Sequence, residues 1–150
     1  MRLFFYGTLL DPDVRSLVLG RFVAPEELAP AVLPHFRRIY VAGRSYPMIL
    51  PHRGGAVDGV VATRLTRDDL ARIALYEGDD YRLERQMVLP VSPQGRMGDE
   101  RVAAWVYRSH PATRPSVREW HLSVWQSKEK ASYVRDTRAW LASRTSPQSG

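Results

Sequence analysis

The apolar segments of this chain are short and unevenly spaced, and this pattern limits the folds that it can adopt. Ten glycines, eleven prolines and several polar turns separate these segments along the 150 residues. Five or six segments are typical of strands and three or four of helices, but strand and helix do not alternate regularly. The pattern therefore predicts an α+β fold. Strands in this arrangement often curl into a barrel, so we expect a small mixed β-barrel of about five to seven strands flanked by helices.

The first twenty residues predict a strand, a tight loop and a short helix. The apolar run over residues 2–6 stops at Gly7, which is typical of a buried strand followed by a turn. Asp11 can cap the free N–H groups of a helix, and Pro12 suits the first helical position. Gly20 can end that helix in a left-handed conformation.

The middle of the chain predicts further strands and a second helix. Four segments have strand-like composition: residues 36–41, 57–65, 82–91 and 102–107. Prolines 25, 30 and 34 predict irregular backbone before the first of them, and residues 51–55 predict an exposed turn. Gly59 indicates a bulge or a close backbone approach. Thr66 is expected to cap a helix that ends at Gly78.

The C-terminal part predicts helices. Residues 116–119 read Ser-Val-Arg-Glu, a capping-box pattern that marks a helix start. Several residues, all but one of them apolar or aromatic, then fall on helical faces: Trp120, Val124, Tyr133, Thr137, Trp140 and Leu141. We therefore expect helices within residues 116–143, one domain over residues 1–144, and a flexible tail over residues 145–150.

Composition narrows the possible chemistry. The chain has no cysteine, which excludes disulfides, thiolate metal sites and a cysteine nucleophile. Its four histidines lie far apart, without the spacing of metal ligands, and the common phosphate-binding and hydrolase motifs are absent. No apolar segment approaches the roughly 18 residues that cross a membrane, nor is there a signal peptide, so we expect a cytoplasmic protein.

The positive net charge of the chain makes nucleic acid one candidate partner. The net charge is +6, and residues 101–150 contain nine basic and three acidic side chains. Runs of charge usually face water, however, and the middle of the chain is slightly acidic. A solvated basic surface is the favoured interpretation, and nucleic acid is not the expected partner.

Two segments have the residues that catalysis requires. Residues 6–10 form a glycine turn after a buried strand, where backbone N–H groups can approach a carboxylate or an oxyanion. Residues 75–85 include Glu77 at the end of a helix, where the helix dipole disfavours negative charge. Burial beside Tyr76 and Tyr81 would raise its pKa further toward the range useful for proton transfer. Taken singly, an ordinary turn and a solvated glutamate are the favoured explanations of these segments.

Together these segments resemble two signatures of the gamma-glutamylcyclotransferase (AIG2-like) family. Tyr-Gly-Thr-Leu at residues 6–9 resembles the family's Tyr-Gly-Ser/Thr-Leu loop after the first strand. Tyr-Glu-Gly at residues 76–78, with Tyr81 and Arg85, resembles its aromatic-Glu-Gly signature followed by a tyrosine, a basic residue and a strand. Three more segments match in order and spacing: residues 44–47, 57–61 and 104–107. The resemblance covers residues 1–108.

The resemblance implies a cofactor-independent enzyme that acts on a small γ-glutamyl molecule. Characterised members cyclise the γ-glutamyl group: the α-amine attacks the γ-carbonyl and releases 5-oxoproline with an amine or amino acid. By position, Glu77 would be the general acid/base that takes a proton from the α-ammonium and gives one to the leaving amine. The implied substrate-binding residues are Tyr6, Gly7, Thr8, Leu9, Tyr46 and Tyr81. No metal ligand is implied.

Two other interpretations stay open at this point. The chain would alternatively be a non-catalytic basic barrel that binds nucleic acid or a protein, or a degenerate relative that only senses a ligand. Glu84 is the nearest competing carboxylate. The sequence specifies neither the leaving group nor the oligomeric state, and we expect the middle loop and the C-terminal helices to contact the leaving group.

Overall fold

A computed structural model describes residues 1–145 of the chain. Six strands and four α-helices occupy this part, together with two single turns of 3₁₀-helix at Thr8–Leu10 and Pro25–Glu27. The strands are β1 (Leu3–Phe5), β2 (Leu28–Val41), β3 (Pro47–Ala62), β4 (Tyr81–Pro90), β5 (Val102–Ser109) and β6 (Pro115–Glu119). The helices are α1 (Pro12–Leu19), α2 (Arg67–Glu77), α3 (Leu122–Lys128) and α4 (Lys130–Thr145).

Five of the strands close into a mixed barrel. The order β3-β1-β5-β4-β2 is closed by the pairing of β2 with β3, and β6 extends β2 outside the barrel. The β1–β5 pair is parallel, whereas the other barrel pairs are antiparallel. The prediction of a small mixed β-barrel flanked by helices is therefore confirmed.

Strand β1 separates two hydrophobic cores. Successive side chains of a strand point to opposite faces. Phe4 accordingly packs inside the barrel with residues such as Leu33 and Val106. Leu3 and Phe5 point the other way, into a core that the helices cover and that contains two fully buried tryptophans, Trp120 and Trp125. The loop that follows β1 therefore starts where the barrel meets the helices.

The β2–β3 hairpin is longer than the sequence predicts. Residues 28–34, expected to be irregular because of Pro30 and Pro34, continue β2 and pair with β3. Proline cannot donate to the ladder, but its carbonyl still accepts, and Pro30 O receives a hydrogen bond from Val91 N at 2.9 Å. The exposed turn predicted at residues 51–55 is an exposed bulge within β3, between the Phe36–Pro51 and Pro34–Ala56 pairs.

The ends of the first two helices agree with the sequence predictions. The Asp11 carboxylate accepts hydrogen bonds from the N–H groups of Asp13 and Val14, and Gly20 ends α1 with φ 67°. Thr66 caps α2, which ends at Gly78 with φ 70°. No helix within residues 1–145 is long and apolar enough to cross a membrane.

The helix predicted to start at residues 116–119 is wrong, because these residues form β6. Their backbone pairs with β2, where Glu119 faces Ile39 and Pro115 faces Val41. The Ser116 hydroxyl accepts a hydrogen bond from Arg118 N at 3.1 Å. Serine makes this local contact with the backbone outside helices as well as at helix starts, which is why the sequence resembles a capping box. The helices begin only after Trp120. Thr145 is the last residue of α4, and the rest of the predicted tail lies outside the described residues.

Candidate active site

A cleft of about 1190 Å³ opens between the barrel and the helices. Its wall includes the loop after β1, the turn between β2 and β3, the end of α2 and one face of α4. All seven residues that the sequence analysis singled out lie in this wall: Tyr6, Gly7, Thr8, Leu9, Tyr46, Glu77 and Tyr81. A cleft of this size accommodates a small molecule.

The glycine turn forms one end of the cleft. Tyr6 is buried, and its phenol donates a hydrogen bond to Tyr107 O at 2.6 Å, which fixes the end of β1 on β5. Gly7 packs against Pro47, where a Cβ would lie 3.0 Å from Pro47 Cγ, so the turn has little space for a side chain. Thr8–Leu10 then form the 3₁₀ turn, and the N–H groups that begin a helical turn have no acceptor within it.

Glu77 is the last residue of α2 and faces the same cleft. Its side chain keeps a partly exposed surface in the cleft, but the surrounding protein desolvates the carboxyl and raises its pKa to about 8. Within residues 1–145 it forms no salt bridge that would favour the ionised form. A carboxyl in this state can accept or release a proton near neutral pH.

Tyrosines surround this carboxyl. Burial raises the pKa of Tyr6, Tyr76, Tyr81, Tyr107 and Tyr133, and the charge of Glu77 contributes to each increase. All five phenols are therefore neutral hydrogen-bonding groups at physiological pH.

A chain of hydroxyl groups connects three wall elements. Thr8 Oγ1 and the Tyr76 phenol are 2.6 Å apart, and the Tyr76 phenol also hydrogen-bonds the phenol of Tyr133. These residues belong to the turn after β1, to α2 and to α4. This chain of hydroxyl groups fixes the positions of the glycine turn and of Tyr76, the residue next to Glu77.

The sequence analysis expects the C-terminal helices to contact the leaving group, but it does not identify the individual residues of β2, β6 and α4 that line the cleft. The missed wall residues include Tyr40, Arg44, Arg118, Tyr133, Thr137 and Trp140. The helical spacing of Tyr133 and Trp140 is typical of a core-facing stripe. Tyr133 does pack against the helix-covered core, and both residues, with Thr137, also line the cleft. Glu84, the competing carboxylate, is not in this wall and pairs with Arg108 at 3.2 Å.

Two observations concern the alternative interpretations. Trp120 and Trp125 are fully buried, and Trp140 is partly buried in the cleft wall, so these tryptophans do not form a flat binding face. Among residues 1–145, no group of histidine, aspartate and glutamate side chains has the arrangement of a metal site.

The sequence matches the family model described as "Gamma-glutamyl cyclotransferase, AIG2-like" over residues 3–127. The chain belongs to this family. The matched segment includes the whole barrel, the glycine turn and Glu77.

Similar proteins within this family come from Arabidopsis thaliana. AIG2-like protein C is 30% identical over 146 residues, which cover 97% of this chain and 81% of that protein. AIG2-like protein A is 28% identical over 145 residues, which cover 97% of this chain and 84% of that protein.

Solved structures have the same fold. A solution structure of an Arabidopsis thaliana protein aligns with a TM-score of 0.63 and 28% identity, and covers 98% of this chain and 94% of that one. A gamma-glutamyl cyclotransferase structure aligns with a TM-score of 0.56 and 16% identity, over 93% of this chain and 86% of that one. The second likeness concerns the fold alone.

The match to the AIG2-like family model ends before α4. Tyr133, Thr137 and Trp140 lie beyond residue 127, although they line the same cleft as the matched residues. In this family member, the wall of the cleft therefore combines the matched barrel with a helix outside the matched segment.

Proposed function

We propose that this family member is a γ-glutamylcyclotransferase-like enzyme that converts a small γ-glutamyl substrate into 5-oxoproline and an amine or amino acid. The observation that supports this most strongly is that Glu77, with a pKa of about 8, lines the same cleft as the Gly7 turn. The reaction needs one group that exchanges protons near neutral pH and one site for a carboxylate and a carbonyl. The cleft contains candidates for both.

Glu77 first receives a proton from the substrate. A γ-glutamyl compound binds with its α-amine as the ammonium, and the amine must lose a proton before it can attack. Because the carboxyl pKa of about 8 lies close to that of an α-amine, the ionised Glu77–ammonium pair and the neutral carboxyl–amine pair differ little in free energy. The transfer therefore produces the nucleophile at a small cost.

The amine nitrogen then attacks the γ-carbonyl carbon within the same molecule. This step forms the C–N bond of the five-membered ring and converts the carbonyl into a tetrahedral oxyanion. The Glu77 carboxyl donates its proton to the leaving nitrogen as the oxyanion collapses and that C–N bond breaks. The ring nitrogen carries two protons after the attack; it loses one, which the released amine takes up through Glu77, and keeps the other as the N–H of 5-oxoproline. No electrons are transferred, and a folded substrate conformer supplies much of the rate.

The glycine turn is the proposed binding site for the glutamyl unit. Backbone N–H groups of residues 7–9 and the Thr8 hydroxyl would donate to the α-carboxylate and to the developing oxyanion. Tyr6 fixes the start of the turn, because its phenol donates a hydrogen bond to Tyr107 O. Tyr46 and Tyr81 would contact the substrate from the β2–β3 turn and from β4. Because the chain lacks cysteine, a reducing compartment suits it, and we propose a cytoplasmic location.

The test is release of 5-oxoproline from a panel of γ-glutamyl amino acids and amines by wild type, Glu77→Gln and Asp79→Asn. Asp79 is an exposed carboxylate two residues from Glu77 and outside the cleft wall, so D79N is the matched control. We expect D79N to resemble wild type and E77Q to lose about 10²–10⁴-fold in kcat/KM. Equal release by E77Q would contradict the role of Glu77. No release by wild type would favour a binding protein instead.

A further inference from the structure

The charged groups that line the cleft differ in the contacts that they make with other protein groups. Glu129 accepts a hydrogen bond from the Tyr40 phenol at 2.7 Å, and Asp136 lies 3.7 Å from Arg135 Nε. Arg44 and Arg118 form no salt bridge with any carboxylate of residues 1–145. In the described part of the chain, two guanidinium groups of the wall therefore have no salt-bridge partner.

Neighbouring segments of backbone hold these two arginines. Arg44 lies in the turn between β2 and β3, where Arg44 N donates to Val41 O at 3.0 Å. Arg118 lies on β6, which pairs with β2 where Val41 faces Pro115. Ala42 N also donates to Arg114 O at 2.9 Å, which joins the turn to the start of β6. Pairing of β6 with β2 thus places the backbone segments of both arginines next to each other, and both residues line the cleft.

Aromatic contacts fix the orientation of one of these groups. The Arg118 guanidinium lies over the Tyr40 ring, with Cζ 4.7 Å from the centroid. Such stacking restrains the planar group and leaves its N–H edge free for an acceptor. A guanidinium presented in this way suits a carboxylate, which can accept two parallel hydrogen bonds.

The glutamyl unit does not need these arginines. In the proposed function its α-carboxylate binds at the glycine turn, and its ammonium binds beside Glu77. Asp80 also lines the cleft and follows Glu77 closely in the sequence. Within residues 1–145 it forms no salt bridge, so the end of the cleft that contains Glu77 and Asp80 suits a cation. The remaining charged group of a γ-glutamyl amino acid is the carboxylate of its leaving group.

We propose that Arg44 and Arg118 form a subsite for a carboxylate on the leaving group, so that γ-glutamyl amino acids are preferred over γ-glutamyl alkylamines. This inference rests on the proposed function and specifies its substrate class. The two arginines are specificity-determining residues of the cleft. Within residues 1–145, neither Glu129 nor Asp136 forms a salt bridge with Arg44 or Arg118.

The test measures binding separately from turnover. The Glu77→Gln variant serves as the binding platform, because glutamine resembles the neutral carboxyl present at neutral pH. Its affinity is measured by calorimetry at low ionic strength for γ-glutamyl-alanine and for γ-glutamyl-ethylamide, which lacks only the leaving-group carboxylate. We expect about tenfold tighter binding of γ-glutamyl-alanine, and a smaller ratio when salt is added.

Two pairs of added substitutions decide whether the arginines cause this ratio. R44Q/R118Q in the E77Q background should reduce the ratio to about one, since both partners of the carboxylate are lost. R53Q/R64Q removes the same charge at exposed positions outside the cleft wall, and the ratio should persist. Equal affinity for the two ligands, a ratio that survives R44Q/R118Q, or binding of neither ligand would overturn the subsite.

Turnover by wild type distinguishes failure of the subsite from failure of the proposed function. Release of 5-oxoproline with equal kcat/KM from both compounds would keep the reaction and overturn the subsite. An equal loss of affinity for both ligands in R44Q/R118Q would assign the arginines to the glutamyl α-carboxylate, which also overturns it. A persistent ratio without any release would keep a carboxylate-selective cleft and overturn the proposed reaction.

Discussion

The phenol of Tyr76 lies 2.6 Å from Thr8 Oγ1, and this hydrogen bond connects the end of α2 with the turn that follows β1. Glu77 comes directly after Tyr76, so the contact helps to fix the carboxyl relative to the glycine turn. Tyr133 of α4 hydrogen-bonds the same phenol. Three segments that are far apart in the sequence therefore meet at one hydroxyl group.

Substitution Y76F should affect both stability and activity. It removes the hydroxyl that contacts Thr8 and Tyr133, and leaves their polar atoms without this partner in a largely buried place. We expect the free energy of unfolding to fall by about 1–3 kcal/mol, and kcat/KM for 5-oxoproline release to fall as the turn loosens. Urea unfolding and steady-state kinetics measure the two effects.

The control for this experiment is Y107F. The Tyr107 phenol has no hydrogen-bond partner within residues 1–145, so its removal should change the unfolding free energy much less. If Y76F and Y107F unfold at the same urea concentration, the Thr8–Tyr76–Tyr133 chain does not stabilise the fold.

The parts of the fold that were predicted correctly depend on local chemistry. Asp11 and Gly20 delimit α1, and Thr66 and Gly78 delimit α2, because capping and the left-handed conformation involve residues within one helical turn. The glycine turn and Glu77 were likewise found because their motifs are contiguous. Their location in one cleft followed from the family resemblance, not from periodicity.

The parts that were missed depend on contacts between distant segments. The Ser116–Glu119 segment has a helix-start pattern, but pairing with Ile39 and Val41 on β2 determines its conformation. The same pairing brings Arg118 over Tyr40, a contact that no local pattern encodes. Tyr133 has the spacing of a core residue, and only the packing of α4 shows that it faces a cleft.

The pH dependence of turnover should report the ionisation of Glu77. Burial raises its pKa to about 8, and the productive complex needs the carboxylate together with the substrate ammonium. We expect kcat/KM to increase with pH along an acid limb whose midpoint is near 8, and to decrease again once the substrate ammonium deprotonates. D79N should keep this profile. A profile that is flat between about pH 6 and pH 9 would contradict proton transfer by Glu77.

Glu77 should also reduce the stability of the fold at alkaline pH. A folded-state pKa of about 8 lies above the ordinary value of 4.5, so ionisation of this carboxyl costs more free energy in the folded state than in the unfolded state. The contribution of the neutral Glu77 carboxyl to stability is therefore fully present below its unfolded pKa, and it is lost as the pH rises through the folded pKa of about 8. We compare the free energy of unfolding of E77Q with that of wild type at the two ends of this range. The difference in favour of E77Q should be larger at about pH 9 than at about pH 5, by about 2–4 kcal/mol. Urea unfolding at both pH values measures this difference, and an equal difference at both would contradict the burial of the carboxyl.

Gly59 of β3 should tolerate no side chain. A Cβ at this position would lie 2.2 Å from the carbonyl oxygen of Phe5 and 2.6 Å from Phe4 Cζ, and both neighbours belong to the barrel wall. We expect G59A to reduce the free energy of unfolding by about 3 kcal/mol or to prevent folding. G98A is the matched control, because the nearest atom to its Cβ would be Pro90 O at 3.5 Å, an ordinary contact. Similar stability of the two variants would contradict the close approach of β1 to β3.

Asp11 should be the carboxylate on which the junction of α1 with α3 and α4 depends. It is fully buried; one oxygen caps α1, and the other accepts from Gln126 Nε2 at 3.0 Å and from Lys130 Nζ at 2.9 Å. Substitution D11N retains the oxygen that caps α1, but it places an amide N–H₂ group, which can only donate, against the two donors Gln126 Nε2 and Lys130 Nζ. We expect this to cost about 3 kcal/mol at neutral pH, whereas D13N, which removes an exposed partner of Lys130, should cost less than about 1 kcal/mol.

The cost of D11N should depend on pH with a definite sign. Burial alone would raise the pKa of Asp11, but hydrogen bonds from Gln126 and Lys130 and from the N–H of Val14 outweigh it and lower the pKa below 3.8. Its contribution is therefore present above the unfolded pKa and is lost as the pH falls through the folded value. The difference in unfolding free energy between wild type and D11N should decrease on acidification from neutral pH to about pH 3. A difference that stays constant would mean that Asp11 stabilises the fold through packing and not as a carboxylate.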